Sequence, residues 1–394
     1  MNAPLKASTW YTRAKHMTKT QGKTVRDFRP LADLKDGRSF DMAGRDSGES
    51  ALVSGSVLAD LAREDERIVL GTADLQFATQ MVQFRFEFPE RLLQFGISER
   101  NMLGAAAGLA SSGYIPYVCT FACFAGVLGF ENIKTDMAYP QMPVRVLATH
   151  AGISMGFFAT SHHATEDIGA LRTVANLMIL SPSDGPSYEA MLRATKDHPG
   201  PIYFRLGRGR EPRIYESAQV APTPGASTLV RKGGNKILIV ATGAMVYPAI
   251  KAAEQLGDDV SVFDVHTIKP FDPSTIVEAV GTDTKILVVE EHNVEGGLGS
   301  IVREGLFDNC VHVPVYKHGL MDEFAIIGPP AHLYQYYGLD AAGIATIADR
   351  LASASGLPRP SSLWTKQDRD RVSGEVAANR KVRAKVTWAG RQSA

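Results

Sequence analysis

One acidic residue opens a predicted helix at a position where a carboxylate could serve chemistry. Glu99 follows Ser98, a candidate N-cap residue, and precedes an apolar run of small residues, 104–110. The helix dipole favours a negative charge in this first turn. An isolated Ser-Glu pair is also an ordinary way to begin a helix, so Glu99 alone does not define a site.

Aromatic residues and histidines follow Glu99, each beside a predicted strand or helix. Phe121 and Phe124 stand three residues apart behind an apolar run. His150 ends a strand-like run, and His162 precedes another predicted helix. One acid, two aromatic rings and several histidines at the ends of successive elements together indicate a cofactor site.

Composition describes a globular protein and excludes several kinds of partner. The 394 residues leave room for two or three domains. Lys+Arg and Asp+Glu both number 42, so the net charge indicates neither nucleic acid nor a membrane surface as partner. Three cysteines without a CxxC pair suit a reducing compartment. The basic N-terminal 26 residues lack the apolar core of a secretory signal, so we expect a cytoplasmic protein.

Strand-like and helix-like runs alternate along most of the chain, which predicts parallel sheets with helices on both faces. The alternation breaks between 212 and 234, where Pro222, Pro224 and several glycines indicate a linker. We therefore predict an α/β protein with two doubly wound, mainly parallel-sheet domains. The predicted divisions are an N-terminal extension 1–45, a first domain 46–215, a linker 216–234, a second domain 235–355 and a basic tail 356–394.

The pattern also gives the bounds of individual elements. Helices are predicted at 50–63, 246–256 and 297–307, and strands at 68–75, 236–240, 260–265, 286–290 and 311–316. The glycine-rich stretch 296–299 lacks the GxGxxG spacing of a phosphate loop, so it is interpreted as a tight turn into a helix. The tail from 356 carries nine basic residues against three acidic ones, a composition typical of a solvated and mobile segment.

Five strings resemble the transketolase family, specifically its pyrimidine-binding domain followed by its C-terminal domain. They occur in the family's order, and the resemblance runs from about 46 to about 351. The strings are FGISERNM at 95–102, CTFACF at 119–124, ATHAGI at 148–153, SHHATEDIGALR at 161–172 and PIYFRLGRG at 201–209.

Part of the family pattern is missing. Thiamine diphosphate enzymes hold Mg²⁺ and the diphosphate through a motif that begins Gly-Asp-Gly and ends in Asn, and this chain has no Gly-Asp-Gly. The resemblance therefore implies thiamine diphosphate and Mg²⁺ as cofactors, with the diphosphate and metal ligands on a separate N-terminal-half subunit. No metal ligand is assigned to this chain. The expected assembly is an α2β2 heterotetramer that is active only when both subunits are present.

The resemblance also assigns the cofactor-binding residues. Glu99 is the acid that hydrogen-bonds to the aminopyrimidine ring of the cofactor and so promotes loss of the thiazolium proton. Phe121 and Phe124 pack on the pyrimidine face, where aromatic contact contributes on the order of 1 kcal/mol beyond burial. Asp74 lies near the cofactor.

Three further residues are assigned to the substrate by the same resemblance. His150 and His162 face the reacting carbons and the substrate hydroxyls, where a histidine near its ordinary pKa can give or take a proton. Arg205 contacts a sugar phosphate, for which the guanidinium fork is suited. No role is assigned to His163.

The chain departs from the family where a sugar hydroxyl is recognised. The family's Gly-Glu-Asp-Gly-Pro-Thr-His corresponds to 156–162, and Phe158 replaces its aspartate. Apolar residues also fill most of the loop 75–78, which usually ends in a phosphate-contacting serine. Each unmet polar group costs roughly 1–3 kcal/mol. We therefore expect Phe158 to line the substrate site and to favour less polar substrates.

The leading hypothesis is the small subunit of a split, thiamine diphosphate-dependent transketolase-type enzyme. Such an enzyme moves a two-carbon ketol unit between sugars or sugar phosphates, whether ordinary or modified. Two alternatives remain open at this point: an acyloin-forming or 1-deoxyxylulose-type synthase that uses an α-keto acid, and a non-catalytic binding subunit of the same fold. Joint retention of the acid, the aromatic pair and both histidines argues against the second alternative.

Overall fold

The computed structural model describes residues 53–209 and 211–376. The predicted extension 1–45 and the last part of the predicted tail, 377–394, lie outside these residues. None of the helices in the described ranges combines the length and apolar character that crossing a membrane requires.

The first sheet has seven strands in the order β10-β5-β6-β4-β3-β1-β2. All neighbours pair in parallel except β10, which runs antiparallel to β5. The strands are β1 Ile68–Thr72, β2 Leu92–Gln94, β3 Ile115–Phe121, β4 Arg145–Thr149, β5 Met178–Leu180, β6 Ile202–Arg205 and β10 Thr267–Lys269. Every position of β1, β3, β4 and β6 is buried, as expected for parallel strands covered by helices on both faces.

The second sheet has five strands in the order β12-β11-β8-β9-β7. Its strands are β7 Thr228–Arg231, β8 Ile237–Ala241, β9 Val260–Asp264, β11 Lys285–Asn293 and β12 Val315–Leu320. Only β7, at one edge, is antiparallel to its neighbour within this sheet. The predicted fold class, an α/β protein with two mainly parallel sheets, is confirmed.

Helices cover the sheets and connect their strands. In chain order they are α1 Val53–Glu64, α2 Val82–Glu87, α3 Glu99–Ser111, α4 Phe130–Asn132, α5 Asp167–Leu171, α6 Gly185–Ala194, α7 Val246–Leu256, α8 Ser274–Ala279, α9 Leu298–Asp308, α10 Pro330–Tyr336 and α11 Ala341–Ser353. π-helical turns at Phe124–Leu128 and Ile133–Ala138 flank α4. The helix predicted at 246–256 is found with the predicted bounds.

Three features of the second half of the chain differ in detail from the pattern expected from sequence. The stretch 216–234, predicted to be a linker, contains strand β7. The strand predicted at 311–316 begins only at Val315, after Pro314. Strand β10 belongs to the predicted second domain by sequence but pairs with the first sheet. The described residues form part of one compact unit, 46–394, and the predicted domain boundaries stay predictions.

The predicted tail is packed in its first part rather than solvated. Leu363 and Trp364 are buried, and the indole N–H of Trp364 donates to the carbonyl of Tyr336. Asp368 accepts two hydrogen bonds from Arg350, at 2.8 and 2.9 Å. These contacts fix residues 360–368 on α11 and its neighbours. A count of charges missed them because the apolar residues are few and widely spaced.

Candidate active site

The candidate site lies at the carboxyl ends of neighbouring parallel strands. Phe121 is the last residue of β3, and His150 follows the last residue of β4. Asp74 follows β1 by two residues. Ligand sites in open α/β sheets form at this edge, because the loops that leave adjacent strands meet there.

The structure brings five of the predicted site residues together as a chain of rings. The ring centroids of His150 and Phe121 are 4.5 Å apart, and those of Phe121 and Phe124 are 5.9 Å apart in a stacked arrangement. His162 lies 5.3 Å from Phe124, and Phe158 lies 5.0 Å from His162. These spacings are those of ordinary aromatic contacts.

Glu99 is the first residue of α3 and is only 7% exposed. Ser98 occupies the N-cap position as predicted, but its side chain makes no capping hydrogen bond. Among the described residues, no hydrogen-bond partner is found for the Glu99 carboxylate. Burial raises the pKa of the nearby Cys123 thiol to about 12, and the charges of Asp167 and Glu99 add to that effect. Its carboxylate oxygens are therefore available as acceptors for a ligand group.

His150 is held in a strained backbone conformation with φ of 59°. Its N–H donates to the carbonyl of Gly207 over 3.0 Å. Burial lowers the pKa of His150 to about 3, and the charge of Arg208 adds to the effect. The expectation of a histidine near its ordinary pKa was therefore wrong: the imidazole is neutral at neutral pH, because desolvation disfavours its charged form.

The hydroxyl of Thr149 is the hydrogen-bond partner of the His150 imidazole. The hydroxyl of Thr149 donates to the carbonyl of Thr120 over 3.4 Å, which leaves the hydroxyl oxygen as an acceptor. His150 Nδ1 lies 3.0 Å from that oxygen, and the tautomer with a proton on Nδ1 donates to it. In that tautomer the lone pair is on Nε2, which can accept a hydrogen bond from a substrate.

The remaining histidines and Phe158 form the more open side of the site. His162 is half-buried, and its Nδ1 lies 2.9 Å from the hydroxyl of Ser161. Phe158 is 50% exposed beside it. His163 is buried, and burial lowers its pKa. Asp74 is exposed, with φ of 60°, and its N–H donates to Gln94.

Arg205 is not among these residues. Its guanidinium is 4% exposed and donates through Nε to Asp167, at 3.0 and 3.1 Å. Its Nη2 donates to the carbonyls of Ala164 and Glu291. Burial disfavours its charge, but the negative charges of Asp167 and Glu291 outweigh that cost, and the pKa of Arg205 is raised. In this position the guanidinium does not face a sugar phosphate, contrary to the expectation from sequence.

Arg208 was missed by the sequence analysis and lies beside His150. It lines a cavity of about 50 Å³ together with His150, Thr149 and Ala78. Its Nη1 donates to the carbonyl of Ser154 over 3.2 Å. The string RLGRG at 205–209 contains both arginines. Because β6 ends at Arg205, Arg205 belongs to the sheet and Arg208 to the loop that follows it. The sequence alone does not show where this strand ends.

The residues present fit one end of thiamine diphosphate. Glu99, whose charge acts on Cys123, provides an acceptor, and the rings of Phe121 and Phe124 on either side of Cys123 in the sequence provide apolar surface for an aminopyrimidine. For the metal ion that accompanies the diphosphate end, the described residues contain no group of three His, Cys, Asp or Glu side chains that could bind it.

Fold and site together define a doubly wound α/β protein with a buried acid at Glu99 and a chain of aromatic and histidine rings at the carboxyl ends of its strands. Residues 49–212 match the transketolase pyrimidine binding domain, and residues 225–344 match the transketolase C-terminal domain. The chain therefore belongs to the transketolase family, and the resemblance found in the five strings is confirmed. This family implies thiamine diphosphate as cofactor.

Individual relatives cover most of the chain. It is 35% identical over 294 residues to a putative transketolase C-terminal section of Methanocaldococcus jannaschii, covering 74% of this chain and 92% of that protein. It is 36% identical over 295 residues to one subunit of an apulose-4-phosphate transketolase of Phocaeicola vulgatus, covering 74% of this chain and 93% of that subunit. A solved structure described as a split gene transketolase, inactive beta4 tetramer, matches with a TM-score of 0.68 and 35% identity, covering 76% of this chain and 96% of that one.

Proposed function

We propose that this chain is the small subunit of a split, thiamine diphosphate-dependent transketolase-type enzyme that transfers a two-carbon ketol unit between sugars or sugar phosphates. The observation that carries the proposal is that Glu99 is a buried acid whose charge acts on the thiol of Cys123, the residue between Phe121 and Phe124 of the ring chain. Thiamine diphosphate, when bound, supplies the electron sink for cleaving the bond next to a ketose carbonyl.

The residues of this chain then have separable tasks. Glu99 would hydrogen-bond to the aminopyrimidine ring of the bound cofactor, and its low exposure would keep water from competing for that hydrogen bond. Phe121 and Phe124 exclude water from the ring face. His150 accepts a hydrogen bond at Nε2 from a substrate hydroxyl, and His162 binds hydroxyls at the open side. Arg208, beside His150, is placed to attract an anionic group of the substrate.

The Mg²⁺ and diphosphate ligands are assigned to a partner subunit of one-domain size that carries the Gly-Asp-Gly motif. Three observations support this assignment. The motif is missing from the sequence, and the chain spans 92–93% of relatives described as a C-terminal section or as one subunit of a transketolase. The matching split-gene structure is described as an inactive beta4 tetramer. An α2β2 heterotetramer with a cytoplasmic location is the form we propose.

The partner requirement gives the first testable prediction. Purified alone, with thiamine diphosphate and Mg²⁺, this chain is expected to show no ketol transfer, because the diphosphate is not anchored. Adding the partner subunit is expected to restore transfer, measured as consumption of a ketose donor with an aldose acceptor. Transfer by the isolated chain would contradict the split-subunit proposal.

The same assay separates the proposal from its two alternatives. A 1-deoxyxylulose-type synthase would consume an α-keto acid and release CO₂, whereas ketol transfer releases none. A non-catalytic subunit would bind the partner without supporting either reaction. Product analysis of the reconstituted complex with a ketose and with pyruvate as donors therefore decides among the three.

Phe158 gives a second prediction, about substrate choice. A phenyl ring cannot accept a hydrogen bond from a sugar hydroxyl, and this ring is half exposed beside His162. Phe158→Asp is expected to shift kcat/KM toward ordinary ketose phosphates by one hydrogen bond, roughly 1–2 kcal/mol. The measurement compares xylulose 5-phosphate with a deoxygenated donor in wild type and variant.

Phe157 provides the matched control. It is 62% exposed and adjoins Phe158, yet it makes no ring contact with His162 in the described residues. Phe157→Asp introduces the same charge one residue away and is expected to leave the donor ratio unchanged. If Phe158→Asp also left the ratio unchanged, Phe158 would not face the substrate.

A further inference from the structure

A carboxylate of the second sheet contacts the turn that carries His150. Glu291 lies near the end of β11 and is 3% exposed. Its Oε1 accepts a hydrogen bond from the backbone N–H of Ile153 over 2.8 Å and another from the hydroxyl of Tyr334 over 2.7 Å. We call residues 150–155 the His150 turn. Hydrogen bonds to a charged acceptor are about twice as strong as neutral ones, so this contact is well suited to hold backbone in place.

Packing around Glu291 leaves the turn little freedom. A Cβ on Gly152, which has φ of 64°, would lie 2.1 Å from Cγ and Cδ of Glu291. Only glycine fits between the turn and this side chain. Ile153 is fully buried and packs into the core cluster of the second sheet. The turn is therefore fixed against β11 by a hydrogen bond on one side and by close packing on the other.

The first sheet holds the other end of the same turn. The N–H groups of His150 and Ala151 donate to the carbonyls of Gly207 and Leu206, each over 3.0 Å. The left-handed backbone of His150 requires such support, because a non-glycine residue does not adopt that conformation unless its surroundings determine it. His150 thus sits between two anchors, one from each sheet.

The segment that carries His162 is tied to the same end of β11. The N–H of Asn293 donates to the carbonyl of Thr165 over 2.8 Å. Arg205 donates to the carbonyls of both Glu291 and Ala164, at 2.9 and 3.2 Å. Both histidine-bearing segments are therefore anchored where β11 ends.

We propose that Glu291 is a positioning residue that fixes the His150 turn, and with it the His150 imidazole, for the transfer reaction. The catalytic purpose of this positioning rests on the proposed function. The positioning itself rests on the contacts of Glu291. A displacement of about 1 Å in a catalytic group can cost on the order of 10²-fold in rate, so an anchor at this distance is able to control turnover.

Two substitutions distinguish the hydrogen bonds from the charge. Gln at 291 keeps an oxygen that can accept from Ile153 and Tyr334, whereas Ala removes it. In the reconstituted complex we expect Glu291→Ala to lower kcat at least about 10-fold with little change in KM, and Glu291→Gln to restore most of that loss. Exchange of the thiazolium C2 proton, which depends on Glu99, is expected to stay at the wild-type rate in both variants.

Hydrogen exchange of the isolated chain tests the positioning without any activity. Glu291→Ala is expected to speed amide exchange in the His150 turn, and Glu291→Gln is not. Val289→Ala is the matched control, since Val289 is buried in the same strand and packs in the core of the second sheet. It is expected to lower stability without speeding exchange in the turn.

The outcomes separate the two proposals. Unchanged exchange in the turn of Glu291→Ala, or wild-type kcat in that variant, would overturn the positioning role, as would a Gln variant as impaired as the Ala variant. A wild-type complex that transfers no ketol unit from any donor would instead overturn the proposed function. The exchange data would then still decide whether Glu291 holds the turn.

Discussion

Replacing Glu99 by Gln is expected to reduce turnover of the reconstituted enzyme by at least ~10²-fold, because it removes a required proton-transfer partner. The amide is nearly isosteric with the acid, so the fold and the affinity for the partner subunit are expected to persist. The carboxylate is 7% exposed and lies at the start of α3, where a neutral side chain of the same shape packs equally well. The loss should therefore appear in kcat.

Two measurements isolate the chemical step at Glu99. Exchange of the thiazolium C2 proton, followed by proton NMR in deuterated buffer, is expected to slow in Glu99→Gln to the same extent as turnover. Glu90→Gln serves as control, since Glu90 is an exposed acid in the first turn of the short helix Pro89–Arg91. Wild-type C2 exchange in the reconstituted Glu99→Gln enzyme would exclude the proposed role.

Apolar periodicity was enough to predict the architecture but not the sheet edges. The central strands β8, β9 and β11 lie within a few residues of their predicted bounds, because buried parallel strands are continuous apolar runs. Strands β7 and β10 have only four and three residues and pair antiparallel at edges. Runs this short carry no periodicity, so their partners are set by tertiary contacts.

Proline explains the misplaced last strand. The run 311–316 alternates apolar residues on both sides of Pro314, and the pattern alone does not locate the strand start. Proline has no N–H to donate, yet its carbonyl accepts from Ile286 over 2.8 Å. Pairing with β11 consequently starts next to Pro314, and β12 begins at Val315.

The site was predictable in its residue types but not in its electrostatics. Rings at strand ends could be placed near one another from sequence, and the structure brings Phe121, Phe124, His150 and His162 together. Their functional roles stay predictions. The low pKa of His150 depends on burial and on Arg208, which only the folded chain brings beside it. The partners of Arg205 come from segments distant in sequence, so its buried position could not be inferred.

The buried ion pair of Arg205 and Asp167 leads to the largest expected effect on stability. Asp167 is fully buried and accepts hydrogen bonds from Arg205 Nε and from the hydroxyl of Tyr203, each at 3.0 Å. Asp167→Ala leaves the buried Arg205 charge without its hydrogen-bonded carboxylate. We expect the free energy of unfolding to fall by about 3–5 kcal/mol, as found when one partner of a buried pair is removed. Denaturant unfolding followed by circular dichroism measures the change.

An exposed ion pair elsewhere in the protein shows what a surface interaction contributes. Arg172 forms an ion pair with Glu304, whose side chain is 59% exposed. Glu304→Ala is expected to cost only about 0.2–1 kcal/mol, since solvent screens such a pair. A loss of similar size in Asp167→Ala would mean that the Arg205 charge reaches water and is not held in the protein interior.

A double substitution then decides between a structural Arg205 and one that serves the substrate. If the pair is structural, adding Arg205→Met to Asp167→Ala removes the buried charge that the single substitution leaves behind. The double variant is then expected to be more stable than Asp167→Ala and to regain much of the lost free energy of unfolding. In the complex, Arg205→Met would then leave the ratio of KM values for phosphorylated and non-phosphorylated donors unchanged. If Arg205 instead bound a sugar phosphate, that ratio would rise, and the effects of the two substitutions on the free energy of unfolding would be additive.

Arg208→Met, beside His150, is the variant in which we expect the ratio of KM values for phosphorylated and non-phosphorylated donors to rise, because a guanidinium next to the reacting site attracts the anionic group of the donor.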